Sequence, residues 1–171
     1  MKRRARESAR RPSTVHGDMI MSMAVVTVYS QDDTFRYIES FVKDLRKRGI
    51  KTVDFYIYFD SKKTFEMYQG TLKDFPFSRK GFDWKGKFLS RELKHALEMD
   101  YDVLLDLTRG GTVPTDLLIS KTQAKWKAGE RINGREYLLD FMIDLKGGGD
   151  TRNLMHHLDT YISNFNLHSA A

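Results

Sequence analysis

Residues 24–59 read AVVTVYSQDDTFRYIESFVKDLRKRGIKTVDFYIYF, and the fold turns on this stretch. Its two ends, 24–29 and 52–59, are β-branched and aromatic runs. They are short and apolar on both faces, as buried strands are. Between them Phe35, Ile38, Phe41, Val42 and Leu45 recur at helical spacing, with Asp32, Asp33 or Thr34 as a cap and Gly49 as a stop. A strand, a helix and a second strand joined this closely make a parallel pair with a right-handed crossover.

The same alternation continues outward. Residues 101–108, YDVLLDLT, are the clearest buried strand of the chain. Gly110 and Gly111 turn it into a helix predicted over 113–125, with Pro114 suited to the first turn. A helix is also predicted over 89–99, with Leu93, Ala96 and Leu97 on one side. A last strand is predicted over 137–145. After the glycines at 147–149, a terminal helix turns Leu154, Leu158, Tyr161, Ile162 and Phe165 inward. Residues 61–87 are less regular: a helical turn near 64–69, then Phe75, Phe77, Phe82 and Trp84 among Pro76, Gly81 and Gly86. The reading is one Rossmann-like, three-layer α/β domain with a mainly parallel sheet over 19–171, preceded by a basic tail over 1–18.

Composition bounds the chemistry. The chain has 171 residues and no cysteine, which excludes disulfides, thiolate zinc sites and a cysteine nucleophile. The formal charge is +6, but Lys2, Arg3, Arg4, Arg6, Arg10 and Arg11 stand against Glu7 alone in the first fourteen residues. That is +5 in these fourteen residues and +1 over the other 157. Such a tail suits RNA, the ribosome or an anionic membrane, and a merely solvated N-terminus is the alternative. It is not read as a signal peptide, because residues 12–18 separate it from the apolar run, which is also too short to span a bilayer. A cytoplasmic location with no transmembrane segment is the expectation.

Two stretches carry candidate sites. Arg109, Gly110, Gly111 and Thr112 lie between a strand end and a helix start, where free N–H groups and a guanidinium favour an anion. The loop matches neither the dinucleotide fingerprint nor the phosphate-binding P-loop, and a plain glycine turn is the alternative. The second stretch interleaves cations with rings: Arg79, Lys80, Phe82, Trp84, Lys85, Lys87, Phe88 and Arg91, joined by Lys121, Lys125, Trp126 and Lys127. Such a surface stacks bases while its cations follow a phosphate backbone. The alternative is that its rings pack a loop onto the sheet, and ring exposure separates the two. Asp102 with Asp106, and Asp140 with Asp144, share a strand face if each strand is regular. Paired carboxylates could hold Mg²⁺ or do acid–base work, although salt bridges are their commoner use. His156 and His157 are adjacent and make no metal pair. No nucleophile elbow is present.

The segments SMAVVTV, VKDLRKRGIKTVDFYIYFDSKK, FSRKGFDWKGK, YDVLLDLT, LLISKTQAKWKAG and FMIDL together resemble a family of short Bacteroidota proteins that carries no assigned function. Residues 101–129 are also similar to the N-terminal half of the GT-B heptosyltransferases, in which a strand like YDVLLDLT precedes a helix and a further strand. That likeness implies a Rossmann-like sheet. The first loop departs from it, reading Ser30-Gln31-Asp32-Asp33 where the heptosyltransferase acceptor site opens on Gly-Asp.

The expected function is non-catalytic: a cytoplasmic binding or accessory protein that contacts RNA or the ribosome through the tail, or another protein. The alternative is a domain that binds a small anionic ligand, a nucleotide or a phosphosugar, and resembles half of a GT-B enzyme. No catalytic residue, metal or cofactor is implied, and oligomeric state is not legible.

Overall fold

The structure, a computed structural model, describes residues 19–168. The tail residues Lys2, Arg3, Arg4, Arg6, Arg10 and Arg11, and the side chain of Phe165, lie outside the described residues. Six strands form one all-parallel sheet: β1 (Ser22–Val28), β2 (Thr52–Tyr58), β3 (Asp74–Phe77), β4 (Asp100–Asp106), β5 (Gln123–Glu130) and β6 (Phe141–Ile143). Their order across the sheet is β3-β2-β1-β4-β5-β6, the doubly wound arrangement of Rossmann-type folds.

Helices α1 (Asp33–Lys47), α2 (Lys62–Met67) and α5 (Thr151–His168) lie on one face, and α3 (Arg91–Glu98) and α4 (Val113–Lys121) on the other. On the first face Phe35, Ile38, Val42 and Leu45 of α1 meet Leu154, Leu158 and Ile162 of α5 over Val25, Phe55 and Leu105. On the second, Leu93, Ala96, Leu118 and Ile119 cover Ala24, Val26, Tyr56 and Leu104. A sheet apolar on both sides requires two such covers. Helix α1 starts and stops as its sequence dictates: the Asp32 carboxylate accepts from the Phe35 N–H, and Gly49 takes a φ of +81° just beyond the last turn.

The central pair β1–β2 and strand β4 match the expectation, and the flanks correct it. Strand β3 was hidden by its four-residue length and by Pro76, which an edge strand tolerates because one side of its backbone needs no partner. The helix predicted to Lys125 ends at Lys121. Thr122 turns to extended backbone there, and Gln123–Glu130 becomes β5 against β4. Residues KTQAK are acceptable helix formers, and pairing with β4 overrides that preference. The strand predicted over 137–145 shrinks to Phe141–Ile143, because a 3-10 turn at Glu136–Leu138 occupies its start.

Candidate functional site

In an open α/β sheet, ligands sit beyond the carboxyl ends of the strands, where strand order reverses. Here that point lies between β1 and β4, and two adjoining clefts open along the same edge. One, of about 650 Å³, is lined by Tyr58 and Asp60 after β2, by Arg79, Phe82, Asp83, Trp84 and Gly86 of the β3–α3 insertion, and by Val113, Pro114 and Leu117 of α4. The other, of about 670 Å³, runs between α2 and the same insertion and also includes Asp60 and Arg79. These two side chains therefore stand where the clefts adjoin.

The insertion has a firm base and an exposed tip. Phe82 packs edge-on against Phe77 and Phe88, with centroids 6.2 and 5.2 Å away, and Phe88 is buried. The Asp83 carboxylate accepts from the Lys85 and Lys87 N–H groups, both at 2.8 Å, and this turns the chain through Gly86 at φ +75°. Lys121 of α4 donates to the Gly86 carbonyl. Trp84 is held out from this turn at 89% exposure, with the Lys85 ammonium 4.7 Å from its ring. Arg79, Lys80, Lys85 and Lys87 are all exposed around it. Of the rings in this stretch, Trp84 alone is open to a stacking partner. Phe82 and Phe88 secure the loop, as the packing alternative requires.

At the cleft floor the Tyr58 hydroxyl donates to Asp60 Oδ1 at 3.3 Å. Burial pushes this hydroxyl above its ordinary pKa, the Asp60 charge and hydrogen bond push the same way, and Arg79 opposes them. Tyr58 therefore stays a donor near neutral pH and holds one oxygen of Asp60. Among the described residues Arg79 has no ion-pair partner.

The loop Arg109-Gly110-Gly111-Thr112 follows β4 as predicted, with φ of +51°, +106° and +65° at its first three residues. Its charges are already matched within the chain. Arg109 forms a fork on Glu130, with Nε at 3.0 Å from Oε2. The start of α4 is closed by a reciprocal box in which the Thr112 N–H donates to Thr115 Oγ1 at 2.7 Å. Arg135, nearly buried, spans Asp106 at 3.1 Å and Asp116 at 2.7 Å, and Asp106 also accepts from the Thr108 hydroxyl at 2.6 Å. Two guanidiniums thus face three carboxylates. An incoming anion would compete with carboxylates already in place.

Other sequence candidates separate. Asp102 and Asp106 lie on opposite faces, because Tyr101 and Leu104 both join the α3–α4 side while Val103 and Leu105 join the other. The strand is irregular at Asp102, whose N–H bonds to Ser22 Oγ at 3.0 Å. Its carboxylate holds Lys125 at 2.8 Å and accepts from the Met21 and Ser22 N–H groups. Asp140 accepts from the Lys127 N–H at 2.9 Å. Lys127, read as a surface cation, is buried, and its ammonium donates to the Ile119 and Ser120 carbonyls at the end of α4. Trp126 packs beside Phe141 and Tyr161, on the face away from Trp84. Asp60, Tyr58 and Arg135 escaped the sequence reading. Asp60 carried one usable signal, its place just past the end of a buried strand.

Strand order and helix placement define a Rossmann-like α/β sheet with its clefts at the C-terminal edge. The chain belongs to a family of unknown function (DUF6913), whose model matches residues 1–165. No curated protein matches it. Among solved structures it is similar to the E. coli heptosyltransferase WaaC with ADP-2-deoxy-2-fluoro heptose, at 11% identity and a TM-score of 0.52. The match covers 84% of this chain and 49% of the heptosyltransferase, so the chain spans about half of that protein's length. At this identity the likeness concerns the fold.

Proposed function

We propose that the chain is a non-catalytic binding domain that holds a small anionic ligand, a nucleotide or a phosphosugar, at the C-terminal edge of its sheet. The observation that carries this is the cleft in which the Arg79 guanidinium, with no ion-pair partner among the described residues, and the exposed Trp84 ring meet at the expected ligand edge. Arg79 pairs with phosphate and Trp84 lies against a ring. The Arg109–Thr112 loop, whose guanidinium is matched by Glu130, is not among the residues that line these clefts and leaves the anion to Arg79.

Trp84 reports its own occupancy. In a Trp126→Phe background, titration of the full chain with ADP or ribose 5-phosphate should quench Trp84 emission saturably. Arg79→Ala should weaken that binding about tenfold or more, the scale of losing charge-assisted hydrogen bonds. Absence of saturable binding by either probe, in calorimetry as well as fluorescence, overturns the reading.

A second reading rests on the cations beside Trp84: Lys80, Lys85 and Lys87 with Arg79, together with the six basic residues of the tail, would follow an RNA backbone or a ribosomal surface, in keeping with a cytoplasmic location. Counterion release makes the two readings separable. RNA affinity should fall steeply and log-linearly with salt and collapse when residues 1–14 are deleted. Small-ligand binding should survive the deletion.

A further inference from the structure

We infer that the ligand of this cleft carries vicinal hydroxyl groups, as a ribose or another sugar ring does, and that Asp60 receives them. The inference rests on the binding reading above and adds the chemical class of the uncharged part of the ligand.

An ionised carboxylate accepts hydrogen bonds and donates none. Phosphate has the same character near neutral pH, so Asp60 repels the very group that Arg79 attracts. Yet both side chains line both clefts. One ligand satisfies the pair only if it presents an anion to Arg79 and hydroxyl donors to Asp60. Tyr58 adds constraint, since its hydroxyl takes one lone pair of Asp60 Oδ1 and leaves the other acceptor positions of the carboxylate without a hydrogen-bond partner among the described residues. Two neighbouring hydroxyls match the two oxygens of one carboxylate. The Trp84 ring, on the other side of the same cleft, offers a flat apolar face to a sugar's C–H surface or to a base. Asp60 is exposed, and Tyr58 is its one hydrogen-bond partner among the described residues, so the fold does not depend on it.

The test uses the full chain and two matched probe pairs in calorimetry: ADP with 2′,3′-dideoxy-ADP, and ribose 5-phosphate with 2-deoxyribose 5-phosphate. Inorganic phosphate and phosphoethanolamine complete the set. The diol member of at least one pair should bind about tenfold tighter, and the pair that discriminates identifies a nucleotide or a free phosphosugar as the source. In Asp60→Ala that preference should fall below about twofold. Inorganic phosphate should bind the variant as well as or better than the parent, because a negative charge has left the site. An equal melting temperature confirms that the variant is folded. Equal binding within both pairs by the parent overturns the hydroxyl inference and leaves the anion reading standing. Phosphoethanolamine binding tighter than both diol probes overturns it too, since Asp60 would then receive an amine. Failure of every probe, phosphate included, overturns both.

Discussion

At the scale of the residue, polar groups inside the sheet are placed in closed sets. Asp54 is 3% exposed and accepts from the Tyr101 hydroxyl at 2.6 Å, while His95 Nε2 lies 2.9 Å away and its ring stacks on Phe75. The Tyr101 and Tyr56 hydroxyls are 2.8 Å apart. Burial pushes both phenols far above their ordinary pKa, so both remain protonated. This set sits near the starts of β2 and β4, away from the ligand edge, where it serves stability. Tyr101→Phe should lower the unfolding free energy by about 1–3 kcal/mol in urea titrations, the cost of leaving a buried acceptor short of a donor. Arg135 joins two acidic side chains from β4 and α4, so Arg135→Ala should cost more, about 3–5 kcal/mol, by leaving Asp106 buried without its cation. A cost under 1 kcal/mol would show that water replaces the guanidinium.

Asp102 adds a pH dependence. Burial opposes its ionisation, but Lys125 and the Met21 and Ser22 N–H groups outweigh that and hold its pKa below the usual carboxylate value. A depressed folded-state pKa stabilises the protein above the unfolded value, about 4. That contribution is lost as pH falls through the folded value. Asp102→Asn should therefore cost about 1 kcal/mol near pH 7, and its difference from the parent, read in urea titrations over a series of pH values, should shrink as pH falls below the ordinary carboxylate value.

At the scale of the element, the turn from β4 into α4 depends on one glycine more than on the other. A Cβ on Gly111 would come within 2.5 Å of Arg135 Nη2 and Asp116 Oδ1, whereas one on Gly110 would meet nothing within 4 Å. Both residues have positive φ, so alanine is strained at either. Gly111→Ala should nevertheless destabilise by at least about 1 kcal/mol more than Gly110→Ala in paired thermal melts, because it also displaces the arginine. The short helix α4 is held from both ends: Thr112 and Thr115 close its start, and the Lys127 ammonium from β5 satisfies carbonyls near its finish. The lysine that looked like a surface charge is a cap reached through the tertiary fold.

At the scale of the whole molecule, charge and shape divide the work. The described residues include no helix long and apolar enough to cross a membrane. The described part is a sheet covered on both faces, with two wide clefts at its C-terminal edge and a small apolar pocket of about 30 Å³ between β4, β5 and α5. What the amino-acid order determined by itself was local. Residues 24–59 announced a parallel pair through apolar runs and helical spacing, residues 101–108 announced the strand beside it, and Arg109–Thr112 announced a turn at the productive end. Those signals rest on the periodicities of 2 and 3.6 and on glycine's conformational range, which a single stretch of chain carries. The tertiary structure decided the rest. Strands β3 and β5 exist because a neighbour pairs with them, and the last strand, predicted over 137–145, is trimmed to the three residues that pair with β5. Asp102 and Asp106 part company because a strand is irregular between them. Arg109 is matched because Glu130 arrives from β5, while Asp60 shares one cleft with Arg79 and Trp84 because the end of β2 and the β3–α3 insertion meet at the same edge. Contacts between groups far apart in sequence leave no periodic trace, so no reading of the chain alone could place them together.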